Sequence, residues 1–194
     1  PVTRYLSKPM LPVGSEPVIT FSLREALEAG CAPVVVVRSP GDDDLKEYVS
    51  SNYEDDVQLA VQPQPRGLAD ALKRGYERLG TSPDRCAVLL PDNVVFGGRG
   101  IAPLIEYDHQ GPVLGTTLVS EAHARYFGNS GDYDSVILDE SGPVERIESL
   151  QKKGPGHFGQ RYREWPNRRS VARNVLTRQF FERVRKAEPD PETG

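Results

Sequence analysis

The fold of this chain is decided by residues 33–61, which read PVVVVRSPGDDDLKEYVSSNYEDDVQLAV. The valine run after Pro33 is short, unbroken and β-branched, which is typical of a strand buried on both faces. The aspartates that follow occupy the N-cap and first turn of a short predicted helix over 41–49, where carboxylates face the positive helix end. A metal site on these aspartates is the less favoured alternative. Apolar residues then alternate over 57–61, so the stretch predicts strand, helix and strand.

The same alternation continues on both sides of this stretch. Further predicted helices cover 18–27 (with Gly30 as C-cap), 68–79, 101–109 and 180–184; further strands cover 86–90, 112–119 and 171–176; and 136–147 forms a hairpin with a Gly-containing turn. Alternating strands and helices predict an α/β fold, Rossmann-like and doubly wound, with a mostly parallel sheet and an added antiparallel hairpin. No linker divides the sequence, so we expect residues 1–194 to form a single domain.

Composition narrows the class of protein. The chain has 194 residues, a hydrophobic fraction of 37% and a net charge of −4. This charge gives no general attraction to nucleic acid or to an anionic membrane, and no apolar run reaches the roughly 20 residues of a bilayer span. Cys31 and Cys86 are interpreted as reduced, buried thiols, which favours a cytoplasmic protein. The basic stretch 160–169 is read as a flap over a phosphorylated substrate or a subunit contact, the latter compatible with a homo-oligomer, rather than a nucleic-acid site.

The first thirteen residues, PVTRYLSKPMLPV, hold one lysine between prolines. Proline fixes φ and removes a backbone donor, so we expect a stiff, irregular loop that keeps its shape without helix or sheet hydrogen bonds. Lys8 is the cation that this loop carries. An isolated exposed lysine is usually only a solvated surface charge, and the residues alone favour that interpretation.

The segment closely resembles the end of the signature motif of the sugar-nucleotidyltransferases, which join a nucleoside triphosphate to a sugar 1-phosphate. That motif reads Pro-x-Thr-x-x-x-Ser/Pro-Lys-x-Met/Leu-Leu-Pro-Val/Ile. The matching residues are Pro1, Thr3, Ser7, Lys8, Met10, Leu11, Pro12 and Val13. The resemblance implies that Lys8 is catalytic and contacts substrate phosphates, whose transfer requires cations close to the phosphate oxygens.

The tetrapeptide Leu90-Pro91-Asp92-Asn93 follows a predicted buried strand. Ligands of open parallel sheets bind beyond the carboxyl ends of the strands, and a carboxylate there can hold Mg²⁺. Pro-Asp-Asn is also ordinary turn chemistry, and the residues alone do not decide between the two. The family places Leu-Gly/Pro-Asp-Asn/Asp after the same strand, so the resemblance implies that Asp92 is the metal ligand and Mg²⁺ the cofactor.

The segment 61–71, VQPQPRGLADA, stands at another strand end. It resembles the family's Gln-x(4)-Gly-Leu-Ala/Gly-x-Ala element, with the step from Gln62 to Gly67 preserved. A glutamine amide offers both a donor and an acceptor to the edge of a base, and a glycine before a helix lets backbone approach a ligand. The resemblance implies that Gln62 and Gly67 bind the nucleotide. A Pro-rich loop leading into a helix is the alternative without that role.

Resemblance weakens toward the C-terminus. Gly128, in Phe127-Gly128, resembles the glycine that lies against the sugar, and Lys153 matches the lysine of a Glu-Lys-Pro element. Lys152 stands where the sugar-binding glutamate is expected, which leaves the identity of the sugar open.

The family resemblance implies transfer of a nucleotidyl group from a nucleoside triphosphate, UTP or dTTP preferred, to a sugar 1-phosphate. Two alternatives would explain why Lys152 replaces the expected glutamate: a non-catalytic sugar-nucleotide sensor, or a transferase for a cyclitol or similar phosphate. A bare interaction domain is least favoured. The family also begins with a central strand and a Gly-rich phosphate loop. We expect the domain to be truncated at both ends. About fifteen to twenty-five residues are expected before Pro1, because loss of a central strand leaves its neighbours unpaired. A second acidic metal ligand is expected after Gly194.

Overall fold

The computed structural model describes residues 6–96, 99–118, 135–139, 146–151 and 168–187. A 3₁₀ turn covers Lys8–Met10; the α-helices are α1 (Val18–Glu28), α2 (Asp43–Asn52), α3 (Gly67–Arg78), α4 (Ala102–Glu106) and α5 (Arg178–Lys186). The strands are β1 (Pro12–Val13), β2 (Glu16–Pro17), β3 (Val34–Arg38), β4 (Val57–Val61), β5 (Arg85–Leu89), β6 (Val113–Leu118), β7 (Ser135–Asp139), β8 (Arg146–Gln151) and β9 (Arg168–Thr177).

The chain divides into two compact units. One unit comprises Pro1–Val113 together with Asn174–Gly194, and the other comprises Leu114–Arg173. Whether they act as the single domain expected from the sequence stays a prediction. In the described part of the chain, no helix is both long and apolar enough to cross a bilayer.

The predicted strand–helix–strand stretch is confirmed. β3 and β4 are parallel neighbours, paired from Val34 with Val57 to Arg38 with Val61, and α2 connects them. Asp43 and Asp44 lie in the first turn of α2, as expected from its positive end. The capping expectation needs one correction: the Asp42 carboxylate accepts a hydrogen bond from the backbone N–H of Ser39 (3.0 Å), so it closes the preceding turn and not the helix end.

The first unit has a core between α1, α2 and the β3–β4 pair. Its buried members are Ile19, Leu23, Val36, Leu45, Val49 and Val57. Each of these apolar side chains contributes about 1.5–3 kcal/mol to stability when removed from water. Met10, from the 3₁₀ turn, packs against this cluster and is half-buried. The opening segment is thus tied to the core.

A second cluster joins α3 to α5 and to the end of β9. The rings of Tyr76 and Phe181 stack in parallel, with centroids 4.3 Å apart and planes inclined by 5°, and Leu176 is buried beside them. Arg178, at the start of α5, donates its backbone N–H to the carbonyl oxygen of Asp84 (2.8 Å). These contacts bring α5 against the loop that leads into β5.

The other unit contains the predicted hairpin. β7 and β8 are antiparallel, paired from Ser135 with Gln151 to Asp139 with Arg146, with an irregularity between Ile137 and Leu138. β6 and β7 both pair with β9. Gly115 in β6 has no room for a side chain, because an added Cβ would lie 2.7 Å from the carbonyl oxygen of Arg173. Parallel and antiparallel pairings together confirm the α/β class.

Two expectations about local structure were wrong. The opening segment is not free of helix and sheet hydrogen bonds, because it forms the 3₁₀ turn and a two-residue antiparallel ladder between β1 and β2. The helix predicted over 101–109 ends at Glu106. There the guanidinium of Arg85 donates to the carbonyl oxygens of Leu104 (3.2 Å) and Tyr107 (3.2 Å), which satisfies the helix end earlier than the sequence pattern indicates.

Candidate functional site

The 3₁₀ turn Lys8–Met10, which we call the Lys8 turn, is held by backbone hydrogen bonds. The N–H of Met10 donates to the carbonyl oxygen of Ser7 (2.9 Å), and the N–H of Leu11 donates to that of Lys8 (3.2 Å). The turn packs against α1 and α2. The Lys8 side chain is exposed and, within the residues that the structure describes, forms no ion pair. A cation on an anchored backbone is therefore available to a ligand.

The Gln62 loop, which we define as residues 62–66 between β4 and α3, is closed by the side chain of Gln62 itself. The amide nitrogen Nε2 donates to the carbonyl oxygen of Gly67 (2.9 Å) and to Oδ2 of Asp70 (3.1 Å). The backbone N–H of Gln62 donates to the carbonyl oxygen of Arg38 (2.8 Å), which continues the pairing of β4 with β3. The amide thus bridges the strand end and the first turn of α3.

Gly67 is required by the backbone at this point. Its φ is +79°, a left-handed conformation that residues with a Cβ adopt only at a cost of about 1–2 kcal/mol. The sequence interpretation assigned this glycine to close approach by a ligand. The positive φ supplies a reason that operates in the free protein as well.

Asp70 was not singled out from the sequence, although it lies within the quoted segment. Its side chain is only 12% exposed, and its Oδ1 lies 3.5 Å from Nε of Arg74, one helical turn further along α3. Arg74 also lies 3.9 Å from Glu77 through Nη1 and Oε2. The available signal was the i,i+4 spacing of Asp70 and Arg74, which indicates a helix pair but cannot reveal a bond to Gln62.

Asp92 lies in the turn after β5 and is exposed. Its Oδ1 accepts a hydrogen bond from Nδ2 of Asn93 (3.1 Å), and the backbone N–H of Asn93 donates to the carbonyl oxygen of Leu90 (3.4 Å). The described residues contain no group of three or more His, Cys, Asp or Glu side chains suited to a metal ion. One exposed carboxylate is still compatible with Mg²⁺, which commonly takes one or two carboxylates together with phosphate oxygens and water.

The structure joins two of the predicted site residues directly and leaves the others separate. Gln62 and Gly67 share a hydrogen bond. No hydrogen bond or ion pair among the described residues links Lys8 or Asp92 to them or to each other. β4 pairs with β3 whereas β5 pairs with β9. The predicted sugar-binding residues Gly128 and Lys153, and residues 160–167 of the basic stretch, lie outside the described residues.

The two cysteines are free and half-buried. Burial raises the pKa of the Cys86 thiol to about 11, and burial also raises the pKa of Cys31. Both thiols are therefore protonated near neutral pH, which makes them poor nucleophiles and poor metal ligands.

Comparison with known proteins identifies the family. Residues 1–148 match the family model described as "Nucleotidyl transferase". The chain belongs to the nucleotidyl transferase family. This confirms the resemblance drawn from the opening segment.

Two relatives of this nucleotidyl transferase show how similar the chain is to named members and how much of them it covers. A Bacillus subtilis (strain 168) protein, provisionally named UTP–glucose-1-phosphate uridylyltransferase, is 26% identical over 98% of this chain and 74% of its own length. A glucose-1-phosphate thymidylyltransferase of Mycolicibacterium smegmatis is 27% identical over 81% of this chain and 53% of its own length. The chain thus spans between half and three-quarters of these two relatives.

Solved structures confirm the fold. The crystal structure of a UDP-glucose pyrophosphorylase complexed with UDP-glucose matches with a TM-score of 0.74 and 20% identity, covering all of this chain and 76% of the other. The apo form of such an enzyme matches with a TM-score of 0.75. Both matches show that this nucleotidyl transferase has the α/β fold of those enzymes.

Proposed function

We propose that this nucleotidyl transferase joins a nucleoside triphosphate to a sugar 1-phosphate. An oxygen of the sugar phosphate forms a bond to the α-phosphorus of the triphosphate. The bond from that phosphorus to the oxygen bridging the β-phosphate breaks, and pyrophosphate leaves with the electron pair. The products are a nucleoside diphosphate sugar and pyrophosphate.

The observation that carries this proposal is the closed Gln62 loop within the stretch that matches the family. A polar amide with defined hydrogen-bond partners stands at the carboxyl end of a parallel strand, the place where ligands bind in open α/β sheets. We assign base recognition to Gln62 and to the backbone at Gly67. One relative is named as a uridylyltransferase that uses UTP and the other as a thymidylyltransferase, which supports UTP and dTTP as the donors proposed here.

The chemistry on the phosphates is assigned to Lys8 and Asp92. Nucleotidyl transfer is accelerated mainly by positioning and by neutralising charge on phosphate oxygens. Lys8 provides an exposed ammonium group on an anchored turn, and Asp92 provides the carboxylate that would hold Mg²⁺. When bound, the metal would offset negative charge on the phosphates. Gly128 and Lys153 stay predicted sugar contacts, and the two free thiols support a reducing, cytoplasmic setting.

Release of pyrophosphate tests this proposal. The full encoded protein is incubated with Mg²⁺ and each pairing of UTP, dTTP, CTP, ATP or GTP with glucose 1-phosphate, other hexose 1-phosphates or a cyclitol phosphate. We expect release with UTP or dTTP and a hexose 1-phosphate. Release only with a cyclitol phosphate would correct the acceptor. Binding of a nucleoside diphosphate sugar without any release of pyrophosphate would show that the protein is a sensor and not an enzyme.

A further inference from the structure

We infer that Asp70 is a positioning residue for base selection: it holds the Gln62 amide so that only its oxygen is offered to the nucleotide. This inference rests on the proposed function, since it concerns the way in which Gln62 reads the base. Asp70 occupies a position that the Gln-x(4)-Gly-Leu-Ala/Gly-x-Ala element leaves unspecified, so the proposed function was argued without it.

The orientation of the Gln62 amide follows from its two partners. The carbonyl oxygen of Gly67 and the carboxylate of Asp70 can only accept hydrogen bonds. The end of the amide that faces both of them, at 2.9 Å and 3.1 Å, must therefore be the nitrogen, which carries two hydrogens. Each hydrogen has one acceptor, so both donors of Gln62 are occupied. The oxygen Oε1 is the group that can still bond to a ligand.

Asp70 is itself held in place. Only 12% of its side chain is exposed, Oδ2 accepts from Gln62, and Oδ1 lies 3.5 Å from Nε of Arg74. Arg74 attracts this carboxylate from the next helical turn and so restricts its movement. A half-buried, ion-paired acceptor defines the position of its donor more closely than a solvated one would.

An amide that offers only an acceptor distinguishes bases by their central ring nitrogen. Uracil and thymine carry a hydrogen on N3 and can donate to Oε1. Cytosine has a lone pair on N3, which meets the lone pairs of Oε1 with nothing between them. A site whose polar groups are left unpaired by the wrong ligand rejects that ligand. The loop is therefore built for UTP or dTTP and against CTP.

Removal of Asp70 would free one hydrogen of the Gln62 amide while Gly67 still binds the other. That hydrogen could then donate to N3 of cytosine. We expect Asp70→Ala to lower the ratio of kcat/KM for UTP over CTP on the order of tenfold, as loss of one hydrogen bond to a charged group would do. The change should appear in KM for the triphosphates, with kcat and KM for the sugar phosphate nearly unchanged.

Asp70→Asn separates positioning from charge. Asparagine removes the same charge as alanine but keeps an acceptor oxygen for Nε2 of Gln62. We expect it to retain the wild-type ratio. Glu77→Gln is the matched control, because it removes a carboxylate that also faces Arg74 on the same helix, whereas the Gln62 amide bonds to Gly67 and Asp70. It too should keep the ratio.

The experiment measures kcat/KM for UTP and CTP in the full encoded protein, its Asp70→Ala, Asp70→Asn and Glu77→Gln variants, and Gln62→Ala. A lowered ratio in Asp70→Ala and Gln62→Ala with a retained ratio in Asp70→Asn supports the inference. A retained ratio in Asp70→Ala, while Gln62→Ala loses it, overturns positioning by Asp70 but leaves the proposed function intact. Equal losses in Asp70→Ala and Asp70→Asn would make the effect one of charge and also overturn it. Absence of turnover in the wild-type protein would overturn the proposed function and the inference together.

Discussion

The Lys8 turn and the Gln62 loop are both Pro-containing segments, and they hold their functional side chains in opposite ways. The Lys8 turn is anchored at its backbone and through Met10, which packs on the core, while the ammonium group has no ion-pair partner among the described residues. The Gln62 loop is largely exposed, yet its functional amide has two hydrogen-bond partners. The difference matches the two proposed tasks. A charge that attracts phosphates acts over distance, whereas an amide that reads a base must face one way.

The largest expected effect is on kcat and comes from substitution of Asp92, which we assign to the chemistry on the phosphates and not to recognition of the base. We expect Asp92→Asn to lower kcat on the order of a thousandfold, because the amide binds Mg²⁺ poorly and charge on the phosphates is no longer offset. Pyrophosphate release and thermal unfolding are measured side by side. The melting temperature should stay the same, since the side chain is exposed.

Asp108→Asn serves as the control, because it makes the same change at another exposed aspartate. It should leave kcat unchanged. An Asp92→Asn protein with wild-type turnover would remove Asp92 from the site.

Lys8 tests the phosphate half of the comparison. Lys8→Ala should slow every pairing of triphosphate and sugar phosphate by on the order of a hundredfold, as loss of one group that stabilises transition-state charge does. The ratio between triphosphates should not move, because phosphates are common to all of them. Steady-state kinetics with UTP, dTTP and CTP measure both quantities, and Lys46→Ala, at an exposed position of α2, is the control. A change confined to one triphosphate would contradict the assignment.

Gln62 tests the recognition half. Gln62→Ala should reduce discrimination among the triphosphates by about tenfold while kcat with the best substrate changes little, because only base contacts are lost. The kcat/KM ratios measure this. Gln58→Ala, at a half-buried amide earlier in β4, should leave the ratios as they are. Equal depression of all triphosphates by Gln62→Ala would show that the residue supports the loop and does not read the base.

Anchoring gives the smallest effect. Met10→Ala should lower the free energy of unfolding by about 1–2 kcal/mol, less than full core truncation because the side chain is half-buried. Leu68→Ala, beside the Gln62 loop, should change it by no more than about 0.5 kcal/mol, since Leu68 is 52% exposed. Chemical denaturation measures both. Equal losses would abolish the contrast between a loop anchored by burial and one closed by hydrogen bonds.

The sequence by itself determined those features that depend on local pattern. The unbroken valine run, the alternation over 57–61 and the Gly-containing turn within 136–147 are each local patterns, so β3, β4 and the β7–β8 pair were predictable. Motif spacing likewise nominated Lys8, Gln62 and Asp92, and the family match agrees with the motif from which they came. The roles of these residues stay predictions.

Only the tertiary structure decided which groups meet across the chain. Arg85 ends α4 by bonding to carbonyl oxygens about twenty residues away, and no periodicity in either segment signals this. The 3₁₀ turn of the opening segment packs against α1 and α2, which lie outside that segment in the sequence. Asp70 reads from sequence as a first-turn charge of α3, favourable at any helix start. Its bond to Gln62 exists only because the loop folds back, and hydrogen-bond partners are set by distance in space, which local sequence does not encode.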